Sequence, residues 1–353
     1  MSALESDFIV YIKELNDGHI CLCNFTFFFG FYCNNPAILP TNAAKYSFLY
    51  TKSMNKINLL LGILLGWLIS HNVLAQKQKQ KQKEANAAPT ATLLWEISGK
   101  GLAKPSYLFG TIHMLCKDDL RLSENLRAKF AESEQLALEI DMSDPKMNIE
   151  LMKGLMMPDK QSLKTLLTEE EYEKVKRFFN DSLQINIAMV ERMKPFFANS
   201  LTLPKLLSCA VAGYEERLMQ LAKEQQKGIK GVETVQEQLA AADGIPLQQQ
   251  AQMLVAMAAD FQKAKNDFAE LLQIYRSQDV EALYRLIARQ SSELDNFEAA
   301  LLEKRNLNWI PVMSRMAQEK PTFFAVGAGH LGGEKGVIAL LRKEGYQVKP
   351  LAN

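Results

Sequence analysis

Pro321-Thr-Phe-Phe-Ala-Val-Gly-Ala-Gly-His330, followed by Leu331-Gly-Gly-Glu-Lys-Gly336 and an amphipathic run from Val337 to Gly345, decides how the rest of the chain is read. A short apolar run rich in β-formers, closed by glycines and followed by helical spacing, predicts a buried strand, a tight turn and a helix. His330 then stands at the carboxyl end of a strand, the edge of an open α/β sheet where ligands bind. Ser106-Tyr-Leu-Phe-Gly-Thr-Ile-His113 repeats the device upstream, an apolar run that again closes in Gly-x-x-His.

Outward from these two units, Leu93–Ser98 reads as a strand forming a hairpin with Ser106–His113 across the turn at Gly99–Pro105. Ser123 is a plausible N-cap for a helix to about Ser133, and Gln135–Asp141 is a third strand carrying Glu139 and Asp141 at its end. From Asp144 to Gln226 the spacing turns helical, with Met147, Met152, Met156 and Met157 in its first segment. Lys227–Glu233 is a brief strand presenting Glu233, and Thr234 with Glu237 makes a capping box. Helices are expected from Val235 to about Met316, broken near Gly244–Pro246, Ser277–Asp279 and Ser291-Ser292, and Tyr346–Lys349 is a last strand. The fold class is therefore α/β: a mixed, mainly parallel central sheet flanked by helices, with a large helical insertion between sheet strands. Helical crossovers between parallel strands would bring His113, Glu139, Glu233 and His330 to the same sheet edge.

The N-terminal third reads differently. Met54-Asn-Lys56, the apolar run Ile57–Ile69 and Val73-Leu-Ala75 form the positive, apolar and small-residue regions of a secretory signal peptide, with cleavage after Ala75. Its apolar run is short of the roughly 20 residues a membrane helix needs, although an uncleaved membrane anchor is the alternative. Residues 1–53 are then an upstream extension, 54–75 the signal, 76–92 a flexible Lys/Gln tether, and 93–353 the α/β domain. Export would place the protein in the periplasm or outside the cell, and the tether's lysines could touch an anionic envelope.

A net charge of +1 over 353 residues gives no electrostatic sign of nucleic-acid binding. Three of the five cysteines lie in the extension, leaving Cys116 and Cys209. In an oxidising compartment these two either pair or stay free; Cys116, three residues beyond His113, could also serve as a metal ligand, though a structural role is the better reading.

A histidine on an apolar segment is usually a hydrogen-bonded core or surface residue, and a glutamate after a strand is usually solvated. Four such strand ends, two in the same glycine frame, fit that account poorly. Two imidazoles with carboxylates suit zinc, manganese, cobalt or iron, and His-Glu-x-x-His is absent from the chain.

Gly110-Thr-Ile-His113, Leu138-Glu139-Ile-Asp141, Gly231-Val-Glu233 with Glu237-Gln238, Arg305-Asn306 with Trp309, and Gly327-Ala-Gly-His330-Leu-Gly-Gly resemble, in this order, the TraB/GumN family. The resemblance covers about Leu93 to Leu351. It implies an α/β fold similar to erythromycin esterase and the haem-binding ChaN proteins and, in the branch of the animal Tiki proteases, a metal-dependent peptidase. It also favours a site role for Arg305, as partner of a carboxylate or stabiliser of an oxyanion, over that of an exposed arginine sharing a helix face with Trp309 and Met313.

Two functions follow as expectations. In the first, an exported metallohydrolase acts on a peptide or small molecule, with a divalent metal held by His113, His330 and Glu139 and with Glu233 as general base; the two glutamates could exchange roles. In the second, the same cleft binds haem, a metal or a signalling peptide without turnover.

Overall fold

The computed structural model describes residues 10–14, 20–24, 91–158, 160–290 and 299–353. The chain divides into two compact units, 1–82 and 83–353. In the first, β1 (Val10–Glu14) pairs antiparallel with β2 (Ile20–Asn24). The signal-peptide pattern at 54–75, the tether up to residue 90 and the expected break at Ser291-Ser292 lie outside the described residues.

The second unit opens with β3 (Leu94–Ser98), β4 (Ser106–Thr111), β5 (Leu115–Cys116), α1 (Glu124–Glu132) and β6 (Gln135–Leu138). The insertion follows as α2 (Met147–Gly154), α3 (Leu163–Leu166), α4 (Glu169–Arg177) and α5 (Pro195–Ser200). Then come β7 (Val211–Ala212), α6 (Tyr214–Glu224), β8 (Gly228–Gly231), α7 (Val235–Asp243), α8 (Leu247–Ala259), α9 (Phe261–Arg276) and α10 (Val280–Gln290). The chain closes with α11 (Lys304–Glu319), β9 (Thr322–Gly327), α12 (Val337–Lys343) and β10 (Gln347–Leu351).

Six strands form the sheet in the order β10-β3-β4-β9-β6-β8. β4, β9, β6 and β8 run parallel, and β3 and β10 extend the sheet antiparallel beyond β4. The central parallel strands are buried almost throughout, which is why they read as unbroken apolar runs rather than alternations. On one face Phe109 and Phe323 meet Tyr214 of α6 and Phe130 of α1 edge-on, with ring centroids 5.2 Å apart in each case. The expected caps are in place: Ser123 accepts from the Leu126 N–H, and Thr234 and Glu237 close a capping box on α7.

The helical insertion has its own core, in which Val175, Phe178 and Phe179 meet Leu163 and, from α8, Ala251 and Leu254. The strands are shorter than the sequence suggested. Gln135–Leu138 stops before Glu139 and Gly228–Gly231 before Glu233, although two further backbone bonds, Val232 N–H to Leu138 O and Glu233 N–H to Glu139 O, carry the pairing past both ends. The Val235 to Met316 helical run breaks at Gly244–Pro246 and Ser277–Asp279 as expected, and once more at Asp260, whose side chain caps α9. In the second unit two short strands escaped the sequence reading: β5 and β7 pair antiparallel, and a disulfide ties Cys116 of β5 to Cys209, two residues before β7. Cys116 is therefore not a metal ligand in this structure; its sulfur is committed to the disulfide.

Candidate functional site

Parallel strands with helical crossovers deliver their carboxyl ends to one edge, and the four residues singled out by sequence arrive there on β4, β6, β8 and β9. Past the strands, β6 and β8 stay zipped, with Val232 N–H on Leu138 O and Glu233 N–H on Glu139 O, both at 2.9 Å. This fixes Glu233 beside Glu139. Only glycine fits at 231, where a Cβ would stand 2.7 Å from Asp141 N and from Glu233 O. On β9 the Gly327 N–H donates to Glu139 Oε1 at 2.8 Å, and the chain then turns through Ala328–His330 to bring the buried imidazole inward.

Arg305 is the hub of this edge. Its Nη2 donates to Glu139 Oε2 at 2.6 Å and to Glu233 Oε1 at 2.5 Å, while Nε reaches both Glu233 oxygens at 3.1 Å. Nη1 is shared between the Leu301 carbonyl at 3.0 Å and His330 Nε2 at 3.2 Å. Helical spacing puts Trp309 one turn on, with its ring under the guanidinium at 4.9 Å and its Nε1–H donating to the other Glu233 oxygen at 2.9 Å. Of the two roles expected for Arg305, carboxylate pairing is the one seen here.

Hydrogen bonding fixes the His330 tautomer. Asn306 Nδ2 donates to the carbonyls of His330 at 3.3 Å and Lys335 at 2.9 Å, so its Oδ1 must accept from His330 Nδ1–H at 2.6 Å. Nε2 is left with the lone pair, turned toward Arg305 and, at 3.9 Å, toward Glu139 Oε1. Burial holds His330 neutral, lowering it to about 3. Burial alone would raise Glu139, but the charges of Arg305 and His113, with the Gly327 N–H, outweigh it and hold the carboxyl well below the usual carboxylate range. Burial wins at Glu233, which is raised despite Arg305 and Trp309. The two carboxylates are thus driven apart, one firmly ionised and one closer to proton exchange.

His113 lies at the rim, with its side chain 69% exposed. Its Nδ1 meets Glu215 Oε1 at 2.9 Å, and the Thr111 hydroxyl donates to the same oxygen at 2.6 Å. The hydrogen bond to Glu215 raises His113 to about 9. His113, Glu139, Glu215 and Gln238 share a cleft of about 550 Å³ whose other walls include Met114, Met142, Leu203 and Val211. Glu233, Arg305 and Trp309 line a separate, smaller pocket of about 230 Å³.

The donor chemistry suits a divalent transition ion. Each imidazole has its Nδ1 engaged by a side-chain oxygen, which leaves Nε2 as the nitrogen open to a ligand, and Glu139 supplies an anionic oxygen. Among the described residues no three His, Cys, Asp or Glu side chains already stand together at ligating positions. The Arg305 guanidinium occupies the space between Glu139, Glu233 and His330. A cation and Arg305 would compete for Glu139 Oε2, and His113 must lose a proton before Nε2 can bind one.

Sequence reading missed Glu215, which follows Gly213 at the start of α6 and looks like any acidic residue in a first helical turn. For Asn306 and Trp309 the sequence gives a place in the motif but no contacts. The helical spacing that sets them beside Arg305 could have placed them near the site, but could not show which atoms they bind.

The sequence profile of the TraB/PrgY/gumN family matches residues 93–350. Among curated proteins, the Danio rerio protein named Metalloprotease TIKI2 is 26% identical over 316 residues, 73% of this chain and 60% of that protein. The Homo sapiens Metalloprotease TIKI1 is 27% identical over 316 residues, 73% of this chain and 61% of that protein. The Amphimedon queenslandica Metalloprotease TIKI homolog is 24% identical over 353 residues, 82% and 67% of the two chains. The chain thus spans about 60% of the length of the two vertebrate relatives. No solved structure matches the chain. With four motif-bearing strand ends on one sheet edge and a family profile running from the first strand of that sheet to the last, the chain belongs to the TraB/PrgY/gumN family.

Proposed function

We propose that the chain is an exported metal-dependent hydrolase, peptidase-like in substrate class, in which His113, His330 and Glu139 would hold a divalent transition ion and Glu233 acts as general base. The observation that carries this reading is the fixing of both Nδ1 atoms, by Glu215 and by Asn306, around a firmly ionised carboxylate. The metalloprotease names of the relatives support the same reaction class. When bound, the ion would supply Lewis acidity toward a scissile carbonyl and toward water.

The chain's own residues divide the remaining work. Glu233, raised by burial, is suited to take a proton from water and return it to a leaving amine. Trp309 Nε1–H and Arg305 Nε hold its carboxylate in one orientation. Arg305 also brings a positive charge to the place where an oxyanion would develop. The apolar walls of the cleft offer a substrate segment burial beside His113 and Glu139. Export is supported by the 54–75 signal pattern and by the Cys116–Cys209 disulfide, a bond characteristic of oxidising compartments. No described helix is long and apolar enough to cross a membrane. The Lys/Gln tether would let the mature chain rest against an anionic envelope.

Elemental analysis of the purified chain, combined with cleavage of a peptide library, tests this. The expected result is bound zinc, manganese, cobalt or iron with cleavage that a chelator abolishes. A metal-free chain that shows a Soret band and no cleavage would replace this reading with haem binding.

A further inference from the structure

Two segments separated by the helical insertion meet beside His113. One carries Thr111, His113 and Cys116; the other carries Cys209, Gly213 and Glu215. Their ladder is minimal, Leu115 opposite Ala212 and Cys116 opposite Val211, extended by one bond from Lys117 N–H to Ala210 O at 2.7 Å. Such a short pairing has little stability of its own. The Cys116–Cys209 disulfide, closing a sequence separation of 93, joins the same two segments covalently. Just beyond it the backbones are in close contact: a Cβ on Gly213 would stand 2.7 Å from the His113 carbonyl oxygen. Glu215 then reaches across, and its Oε1 receives both the Thr111 hydroxyl at 2.6 Å and His113 Nδ1 at 2.9 Å.

The geometry points to Glu215 as the positioning residue of His113, and to the Cys116–Cys209 disulfide as the cross-tie that keeps the two in register, so that thiol reduction disorders the His113 side of the site. This rests on His113 being a site residue, as proposed above. His113 has no other anchor among the hydrogen bonds seen here, whereas His330 is enclosed by Asn306, Arg305 and Trp309. Cys209 is exposed, so a reductant can reach the bond. A dithiol delivers two electrons and two protons; the S–S bond breaks to give two thiols, and the reductant leaves as its own disulfide. Reoxidation restores the tie.

The test uses the full chain as wild type, oxidised or dithiol-reduced, and as Glu215→Gln and Glu215→Ala. His113 rotamer populations are read from three-bond couplings without metal, and Co²⁺ affinity from visible absorption. Glu215→Ala and the reduced wild type should both show rotamer averaging at His113 and a loss of Co²⁺ affinity of about 10- to 100-fold. Glu215→Gln, which keeps an oxygen acceptor for Nδ1–H, should stay close to wild type, and reoxidation should reverse the effect of reduction. A single His113 rotamer in folded Glu215→Ala would overturn the positioning role, and one in folded, reduced wild type would overturn the cross-tie. If Glu215→Ala does not fold, the comparison of Glu215→Gln with reduced wild type decides, because averaging in the glutamine variant contradicts the acceptor role. Averaging as expected, in a chain that binds no Co²⁺, would uphold this inference while removing the metal reading of the previous subsection.

Discussion

Replacing Arg305 by Ala removes the one guanidinium that lies between two buried carboxylates, and the cost follows from what is left behind. The Glu139 and Glu233 side chains are 9% and 4% exposed, so solvent cannot take over the role of the lost charge. Removing one partner of a buried ion pair typically costs ~3–5 kcal/mol, because a charge remains uncompensated. Glu233 is already raised by burial and would take up a proton, which relieves part of that penalty and places the loss near ~3 kcal/mol. At roughly 2–4 °C per kcal/mol for a domain of this size, the melting temperature should fall by ~6–12 °C at pH 7. Thermal and urea melts of wild type and variant measure this, and the gap should narrow as acid protonates the carboxylates. A divalent ion should raise the melting temperature of the variant more than that of wild type, since it would enter a space lined by two carboxylates and His330 Nε2. A loss below about 1 kcal/mol, the range of exposed ion pairs, would refute the idea that Arg305 balances these charges.

Trp309→Phe keeps a ring under Arg305 but removes the N–H donated to Glu233; a loss of ~1.5–3 kcal/mol is expected in urea melts, and a neutral result would mean that the bond contributes nothing. Gly231→Ala sets a Cβ 2.7 Å from backbone atoms of both Asp141 and Glu233, so stability and any hydrolysis should fall together; a fully active, wild-type-stable alanine variant would show that the two chain ends are free to part. His330 is near 3 when folded and 6.5 as a free side chain, so the unfolded chain binds more protons between those values. Stability should therefore fall as pH drops from 6.5 toward 3, with a slope of up to ~1.4 kcal/mol per pH unit from this residue, and His330→Gln should lose that component; superimposable urea midpoints against pH would exclude it.

Most of the fold was legible because buried parallel strands leave continuous apolar runs, and because Thr234 with Glu237 or glycine after a strand marks an element's end in a few residues. The site was legible as far as strand ends carry it: His113, Glu139, Glu233 and His330 each sit within three residues of a sheet strand. The sequence did not disclose what those residues touch. Glu215 reaches His113 from across the 93-residue separation spanned by the disulfide, and no local periodicity encodes that meeting. Two-residue strands such as β5 and β7 are likewise too short to produce an alternating pattern. The regular strands end before Glu139 and Glu233, but β-forming residues continue there and two more backbone bonds keep the chain ends paired.

The proposed ligand set makes hydrolysis depend on a divalent ion at His113, His330 and Glu139. Metal stoichiometry and peptide cleavage, measured side by side in His113→Ala, His330→Ala, Glu139→Gln and Glu233→Gln, separate ligands from base. The first three should lose metal and cleavage together while their melts remain cooperative. Glu233→Gln should keep the metal and lose ~10²- to 10⁴-fold in rate. Wild-type metal content and cleavage in both histidine variants would rule out a metal held by His113 and His330.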